Sequence, residues 1–363
     1  MKYKVAVPGL LSLACVLPAS AQSSVTLYGV VDTGIDYANH QPNGGNSIVR
    51  VSSGNTAGSR WGLRGVEDLG SGQQAVFVLE SGYDTDTGKS SQGSRLFGRM
   101  AYVGVQGNWG SLLLGRQQNA LFDFIGAFDP MLLAPRYSIL NQDIAFVSRA
   151  DNTVKYTGTF GGVTASAMYS TGAETSTVNG SEIPGDPKIG REYGFRMSYS
   201  GGPFAIGAVY DEVNTGATTS NPDAKTRRAV VAGTYAFSRV KAFAGYRWAR
   251  AYDGALLAGA SSGAANQGSN LYWTGLIWDA TPAIALSAAA YYQDFRNTGN
   301  DAWLFVGNAR YAFSKRTNAY LSVGYTLNKG DANLGLSSGV GGFGYTTPGT
   351  NQLGAAVGIR HLF

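Results

Sequence analysis

The chain has 363 residues, of which only 14% are Asp, Glu, Lys or Arg and 12% are aromatic, with 51 glycines and a formal net charge of +5. A soluble globular domain carries about 25% charged residues, and a disordered chain would be charged and poor in aromatics. Gly and Tyr in such numbers argue against a helical bundle, and the single cysteine, Cys15, excludes a disulfide framework.

The first element is a leader. Lys2 and Lys4 precede an apolar stretch from Val5 to Leu17, and Ala19-Ser20-Ala21 supplies a small-x-small cleavage site. The expectation is a signal peptide over 1–21 and one exported domain over 22–363, with a formal charge of +3 once the two lysines are gone. A lipoprotein reading through Cys15 is disfavoured, because Ser12 stands where a large aliphatic residue belongs.

After residue 22 no stretch approaches the ~18 apolar residues of a membrane helix. Hydrophobicity instead alternates with period two, the mark of strands with one apolar and one polar face. A first strand is expected near 25–37. In 193–199, Tyr193, Phe195, Met197 and Tyr199 share one face, with Gly194, Arg196 and Ser198 on the other. Val240 to Trp248, Trp303 to Phe313 and Ala319 to Tyr325 repeat the pattern, and a last strand is expected near 352–363. Strand middles are small (Gly, Ala, Val) and bulky aromatics collect towards the ends. Such a face packs poorly against a second sheet but suits lipid, with aromatics at two membrane interfaces. Only a closed barrel lets strands cross lipid without unpaired backbone groups. The alternative is a secreted sandwich or adhesin.

Connections alternate in length. Short turns at 68–72, 107–111, 161–162, 201–203 and 314–317 are interleaved with Gly, Ser, Thr and Asn stretches near 39–56, 84–94, 172–190, 214–225, 251–268 and 328–349. Short periplasmic turns and long outer loops are the barrel pattern, and turn-bounded segments number about sixteen. A barrel of that size encloses an aqueous lumen. Segment 122–149 is unlike the others: too apolar for an outer loop, too irregular for a strand. Long loops of this kind are usually functional. Folded inward, it would lay Phe, Leu and Ile on the wall and present Asp123, Asp129 and Asp143.

Four segments carry a resemblance: SSVTLYGVVDTG after the cleavage site, SRWGLRGVEDLGSG at 59–72, NWGSLLLGRQ at 108–117 and the closing GIRHLF at 358–363. Together, in this order, they resemble the general porins of Gram-negative outer membranes, beta-proteobacterial type. The resemblance implies an all-β, sixteen-stranded antiparallel transmembrane barrel with an inward-folded third outer loop, assembled as a homotrimer in outer-membrane lipid and lipopolysaccharide. It also implies small hydrophilic solutes and inorganic ions as cargo, with no cofactor. Phe363, with Ile359 and Val357, resembles the signal read by the barrel assembly machinery.

By position, the resemblance places a basic constriction wall at Arg60, Arg99 and Arg149, with Arg64 and Arg116 as further members. Glu80, Asp123, Asp129 and Asp143 are expected on the acidic side. Parity agrees for Arg60 and Arg64, which oppose Trp61 and Leu63, for Glu80 against Phe77 and Leu79, and for Arg149 and Lys155 against Val154 and Tyr156. Arg116 instead shares parity with the outward Leu112 and Leu114. Asp32 and Asp36 face inward on the first strand and would offset an anion preference. Tyr28, Tyr272 and Trp278 are the aromatics assigned to the lumen.

Enzyme chemistry has little to stand on. Gly339-x-Gly341-x-x-Gly344 has dinucleotide-type spacing, but no helix pattern or later acid follows. His40 and His361, the only two histidines, sit in no hydrolase motif. No metal site is indicated, and a charge of +3 gives no basic stripe for nucleic acid. The expected function is a passive channel with mild anion preference; the alternative is a substrate-specific channel or an adhesin-like barrel.

Overall fold

The computed structural model describes residues 23–42, 44–173, 180–216, 221–257, 267–296, 298–337 and 344–363. The expected signal peptide, two glycines of the Gly339-x-Gly341-x-x-Gly344 run and parts of five long loops lie outside the described residues.

Alternating segments form strands in the expected places, and one further strand, β2, forms inside the stretch 39–56 that was read as a loop. The first six are β1 (Ser24–Ala38), β2 (Ile48–Ser53), β3 (Arg60–Gly70), β4 (Gln73–Gly82), β5 (Met100–Gly107) and β6 (Gly110–Gln118). A long connection leads to β7 (Arg149–Phe160), β8 (Val163–Ala173), β9 (Glu192–Gly201), β10 (Phe204–Asn214) and β11 (Lys225–Phe237). The remainder are β12 (Val240–Tyr252), β13 (Gly268–Asp279), β14 (Ile284–Phe295), β15 (Asn300–Ala312), β16 (Thr317–Asn328) and β17 (Gln352–Leu362).

Each strand pairs antiparallel with its neighbours, and β17 pairs with β1 from Val30↔Leu362 to Ala38↔Gly354, closing the sheet. β1 pairs with β3 through its first half and with β2 through its second, so β2 and β3 share one position and the barrel has sixteen staves. The break between them was not expected; a single loop near 39–56 was. Its cause is Asp32, whose carboxylate accepts from the Asn55, Thr56 and Ala57 backbone N–H groups, the Thr56 hydroxyl and the Tyr320 hydroxyl. Those bonds pull 54–59 out of the ladder.

Alternation separates the two faces. On β16, Leu321 is 49% exposed while Ser322 beside it is 3% exposed. Aromatics band the outer surface at two heights. Tyr246, Tyr272, Tyr292 and Trp303 stand side by side across β12 to β15, with successive centroids 5.0, 6.2 and 4.6 Å apart. Phe204 and Tyr235 at 4.7 Å, and Tyr311 and Phe313 at 5.2 Å, mark the other height. Tight hairpins close the second end: Ser71 (φ 52°) with Gly72 (φ 75°), and Gly161 (φ 55°) with Gly162 (φ 84°), supply the paired positive φ angles of a two-residue turn.

Tyr272 and Trp278 are each 45% exposed on the outward face of β13, which corrects their assignment to the lumen; Trp273 is the buried aromatic of that strand. Both faces of β13 are apolar, because its inner face is covered by protein.

The cover is the connection between β6 and β7. It opens with helix α1 (Ala120–Ile125), whose N-terminus is capped by the Asn119 side chain accepting from Phe122 N at 2.8 Å. Two short 3-10 turns follow at Ile139–Asn141 and Ile144–Val147. Leu121, Phe124, Ile125, Phe128, Ile139 and Phe146 are buried in one cluster with the wall residues Val209, Val230, Leu271, Trp273, Tyr291 and Leu304.

Candidate functional site

Segment 119–148 is fastened to β1 and to the four neighbouring strands β11 to β14, away from β6 and β7 where it begins and ends. Trp273 Nε1 on β13 donates to the Phe128 carbonyl at 3.0 Å, and the Tyr291 hydroxyl on β14 donates to Asp129 Oδ1 at 2.5 Å. Arg136 pairs with Asp36 on β1. Asp143 accepts from Arg228 Nε of β11 and is ion-paired with Arg247 Nε of β12, each at 3.2 Å. Burial alone would raise Asp143, but the two guanidiniums hold its carboxyl below the usual value. Asp129 has no such cation; burial pushes its pKa up, against hydrogen bonds from Tyr291 and Leu133 N.

Between this segment and the wall lies a cavity of about 820 Å³. Arg60, Arg99, Arg149 and Arg360 line it from the wall, and Asp84 and Asp123 are the carboxylates among its lining residues. Leu132, Leu133, Leu140 and Ile144 make the segment's face largely apolar.

Arg60 and Arg99 meet at Glu80. Arg99 Nε lies 2.6 Å and Arg60 Nε 3.5 Å from its oxygens, and the Tyr28 hydroxyl donates to it at 3.0 Å. Glu80 is 2% exposed, so it stands inside the basic cluster rather than across from it, contrary to the expected opposing position. The same applies to the loop acids. Asp129 is fully buried and Asp143 nearly so, which removes both from any acidic lining; desolvation of a carboxylate is tolerated there because each is hydrogen-bonded or ion-paired. Asp123 reaches the cavity, with Lys155 Nζ at 2.7 Å.

Arg149 is buried, donates to the Val147 carbonyl at 3.2 Å and lies 5.4 Å over the Phe122 ring. Arg64 lies apart, exposed, 6.0 Å over the Tyr28 ring. Arg116 is inward despite its parity with Leu112 and Leu114. A bulge between Gly115 (φ 125°) and Gln117 shifts the register there and re-aims its side chain. Arg116 then pairs with Asp151 at 2.8 Å and donates to the Gly98 carbonyl, outside the cavity lining.

The inward acids of β1 are also occupied. Asp32 is enclosed by the donors of 55–57, and Asp36 takes Arg50 and Arg136, so neither offers charge to the cavity. Arg360 was missed by the sequence reading. Its signal was present: Val357 and Ile359 face outward, so Gly358 and Arg360 must face inward. Lys155, Arg228 and Arg247 were inward by the same rule, but their loop partners are set by tertiary structure.

Phe363 closes the barrel seam. Its N–H donates to the Gly29 carbonyl at 3.1 Å, and its carbonyl accepts from Gly29 N at 3.0 Å. Val357, Ile359 and Phe363 lie exposed on the outer surface. His40 sits 2.8 Å from the Asn351 carbonyl and His361 2.9 Å from the Thr317 hydroxyl, both exposed. Among the described residues no group of three His, Cys, Asp or Glu is placed to hold a metal.

Residues 9–331 match the family model described as Gram-negative porin. The chain is 32% identical to an outer membrane porin protein of Bordetella pertussis, covering 95% of this chain and 96% of that protein. It is 28% identical to outer membrane porin protein 32 of Delftia acidovorans, with 95% of each covered. A solved structure, the anion-selective porin from Comamonas acidovorans, superposes with a TM-score of 0.81 at 26% identity, covering 94% of this chain and all of that one. With a closed sixteen-stave barrel banded by aromatics and enclosing a basic-walled cavity, the chain belongs to the Gram-negative porin family, as a passive channel of the cell outer membrane.

Proposed function

We propose that the channel passes small hydrophilic solutes and ions with a mild preference for anions, and that segment 119–148 forms its constriction. The observation that carries this reading is the cavity lining: four arginines against two carboxylates, one of them held by Lys155. Charged side chains lining a narrow lumen set ion preference, and low-dielectric walls focus their field. The ties from the segment to β1 and to the neighbouring strands β11, β12, β13 and β14 support a course through the interior, since all of these lie several staves away from β6 and β7, between which the segment runs. The structural neighbour described as anion-selective supports the sign.

The mature domain is residues 22–363 after removal of 1–21, and it assembles as a homotrimer in outer-membrane lipid and lipopolysaccharide. Phe363, Ile359 and Val357 serve as the signal for the barrel assembly machinery, supported by the pairing of Phe363 with Gly29. The protein acts as a channel without catalysis. The test is planar-bilayer recording of the reconstituted protein. Conductance that rises linearly with salt and is not blocked by candidate sugars or dicarboxylates supports the reading. Saturation or block at low solute concentration refutes it in favour of a specific channel.

A further inference from the structure

Segment 119–148 shares the lumen with a second stretch of non-strand backbone. Between β2 and β3, residues 54–59 leave the ladder, and Gly54, Thr56, Ala57 and Gly58 line the large cavity together with Leu132 and Leu140 of the segment. A second cavity, of about 50 Å³, is bounded by Arg136, Tyr137, Ser287, Asn308 and Ser322. Thr56, Leu132 and Arg360 line both cavities. One comes from 54–59, one from the segment and one from β17, so the way from one space to the other runs among these three side chains.

Asp32 holds the excursion with both its side chain and its backbone. Its carboxylate accepts from the Asn55, Thr56 and Ala57 N–H groups at 3.2, 3.0 and 2.8 Å, and from the Thr56 and Tyr320 hydroxyls at 2.5 and 2.7 Å. Its carbonyl accepts from Gly54 N at 2.9 Å and from the Ser59 hydroxyl at 3.1 Å. Gly54 has φ 65°, open to glycine, which lets the chain turn out of the strand. Asp32, Asn55 and Ser59 are buried, whereas Thr56, Ala57 and Gly58 are half-buried, so the anchor lies in the wall and the tip faces the pore.

The tip also meets the basic wall. Arg60 Nη1 donates to the Gly58 carbonyl at 2.9 Å, and a side chain added at Gly58 would begin 3.2 Å from Arg99 Nη1. On the other side, Arg136 N of the segment donates to the Asn55 carbonyl at 3.4 Å.

We infer that 54–59 is a second inward lip, set against segment 119–148, and that Asp32 is the positioning residue that fixes the pore width at Thr56 and Leu132 and the placement of Arg60. The inference rests on the reading that 119–148 narrows the pore, and adds the wall's side of that narrowing. Bonds to an ionised carboxylate are the strong kind. An amide in its place would turn one acceptor into a donor that faces donors.

Planar-bilayer recording of the full-length protein tests it. Cys15, the sole cysteine, lies in the leader, so Ala57→Cys and Leu132→Cys each carry a unique thiol for a charged methanethiosulfonate. Modification of either should remove most of the current. Asp32→Asn should lower the pinned-to-released ratio of the lip about tenfold, read as entry of larger polyethylene glycols and a weaker anion preference. Tyr320→Phe changes no charge and should act in the same direction more weakly; with the thiols it decides the matter if Asp32→Asn loses heat-modifiable migration. Block at Ala57→Cys without block at Leu132→Cys upholds the lip and overturns the segment as its opposing side. Block at Leu132→Cys alone overturns the lip. An Asp32→Asn reversal potential shifted towards anions, with an unchanged polymer limit, overturns the positioning role and makes Asp32 a plain lumen charge.

Discussion

Asp143 is the firmest fastening of segment 119–148, and Asp143→Asn is the perturbation most informative about it. The carboxylate is bracketed by Arg228 and Arg247, both within 3.2 Å and all three side chains below 10% exposed. Removing one partner of a buried ionic network leaves uncompensated charge and costs about 3–5 kcal/mol. At 1.36 kcal/mol per tenfold, even the lower figure reduces the docked-to-undocked ratio of this stretch about a hundredfold. The barrel should survive, because its ladders do not involve Asp143. The remaining ties, Arg136 to Asp36 and Tyr291 to Asp129, keep the segment partly docked. Two assays read this. Single-channel recordings of the variant should flicker where wild type is steady. Trypsin should gain a cut after Arg136, which is 2% exposed in the intact protein. Adding Arg228→Gln should recover part of the loss, because it removes one stranded charge. Steady current and unchanged trypsin resistance in Asp143→Asn would refute the idea that this ion cluster holds the segment.

Asp129→Asn should leave the reversal potential unchanged, because the group is fully buried; a shift of several millivolts in a salt gradient would place it in the lumen. With acid, the two loop aspartates act oppositely. Asp143, held low by its arginines, contributes stability that is complete above about pH 4 and is lost as pH falls through its lowered value, whereas the buried Asp129 contributes stability that is complete below about pH 4 and is lost as pH rises from there through its raised value. Current noise from undocking at the Asp143 cluster should therefore rise as pH falls below about pH 4; noise that falls with acid over that range would contradict that sign. Deleting Phe363 removes both hydrogen bonds to Gly29 at the seam. It should lower folded yield in the outer membrane while surviving channels conduct normally, and normal yield would argue against the assembly role.

Much of the barrel was legible because lipid on one side and water on the other impose period two on every strand. The errors arise where a third environment intrudes. On β13, Leu271 and Trp273 are apolar yet inward, because the β6–β7 connection covers them, and alternation alone could not rank that face against Tyr272 and Trp278. Arg116 was obscured by a bulge that moves one residue out of phase. The break between β2 and β3 depends on Asp32 and on Tyr320, 288 residues away, a contact no local pattern encodes. Charged wall positions were readable one by one, but which charges cancel was not. Glu80, Asp129 and Asp143 are all inward or on the segment, and each is consumed by a partner chosen by the tertiary fold.

The central claim is that unbalanced arginines set the preference of the pore, and the reversal potential in a tenfold KCl gradient tests it most directly. Wild type should reverse on the anion side. Arg60→Ser with Arg99→Ser removes two cations and leaves the Glu80 carboxylate uncompensated, so the double variant should move clearly towards cations. A cation-selective wild type, or a double variant that reverses where wild type does, would contradict the account.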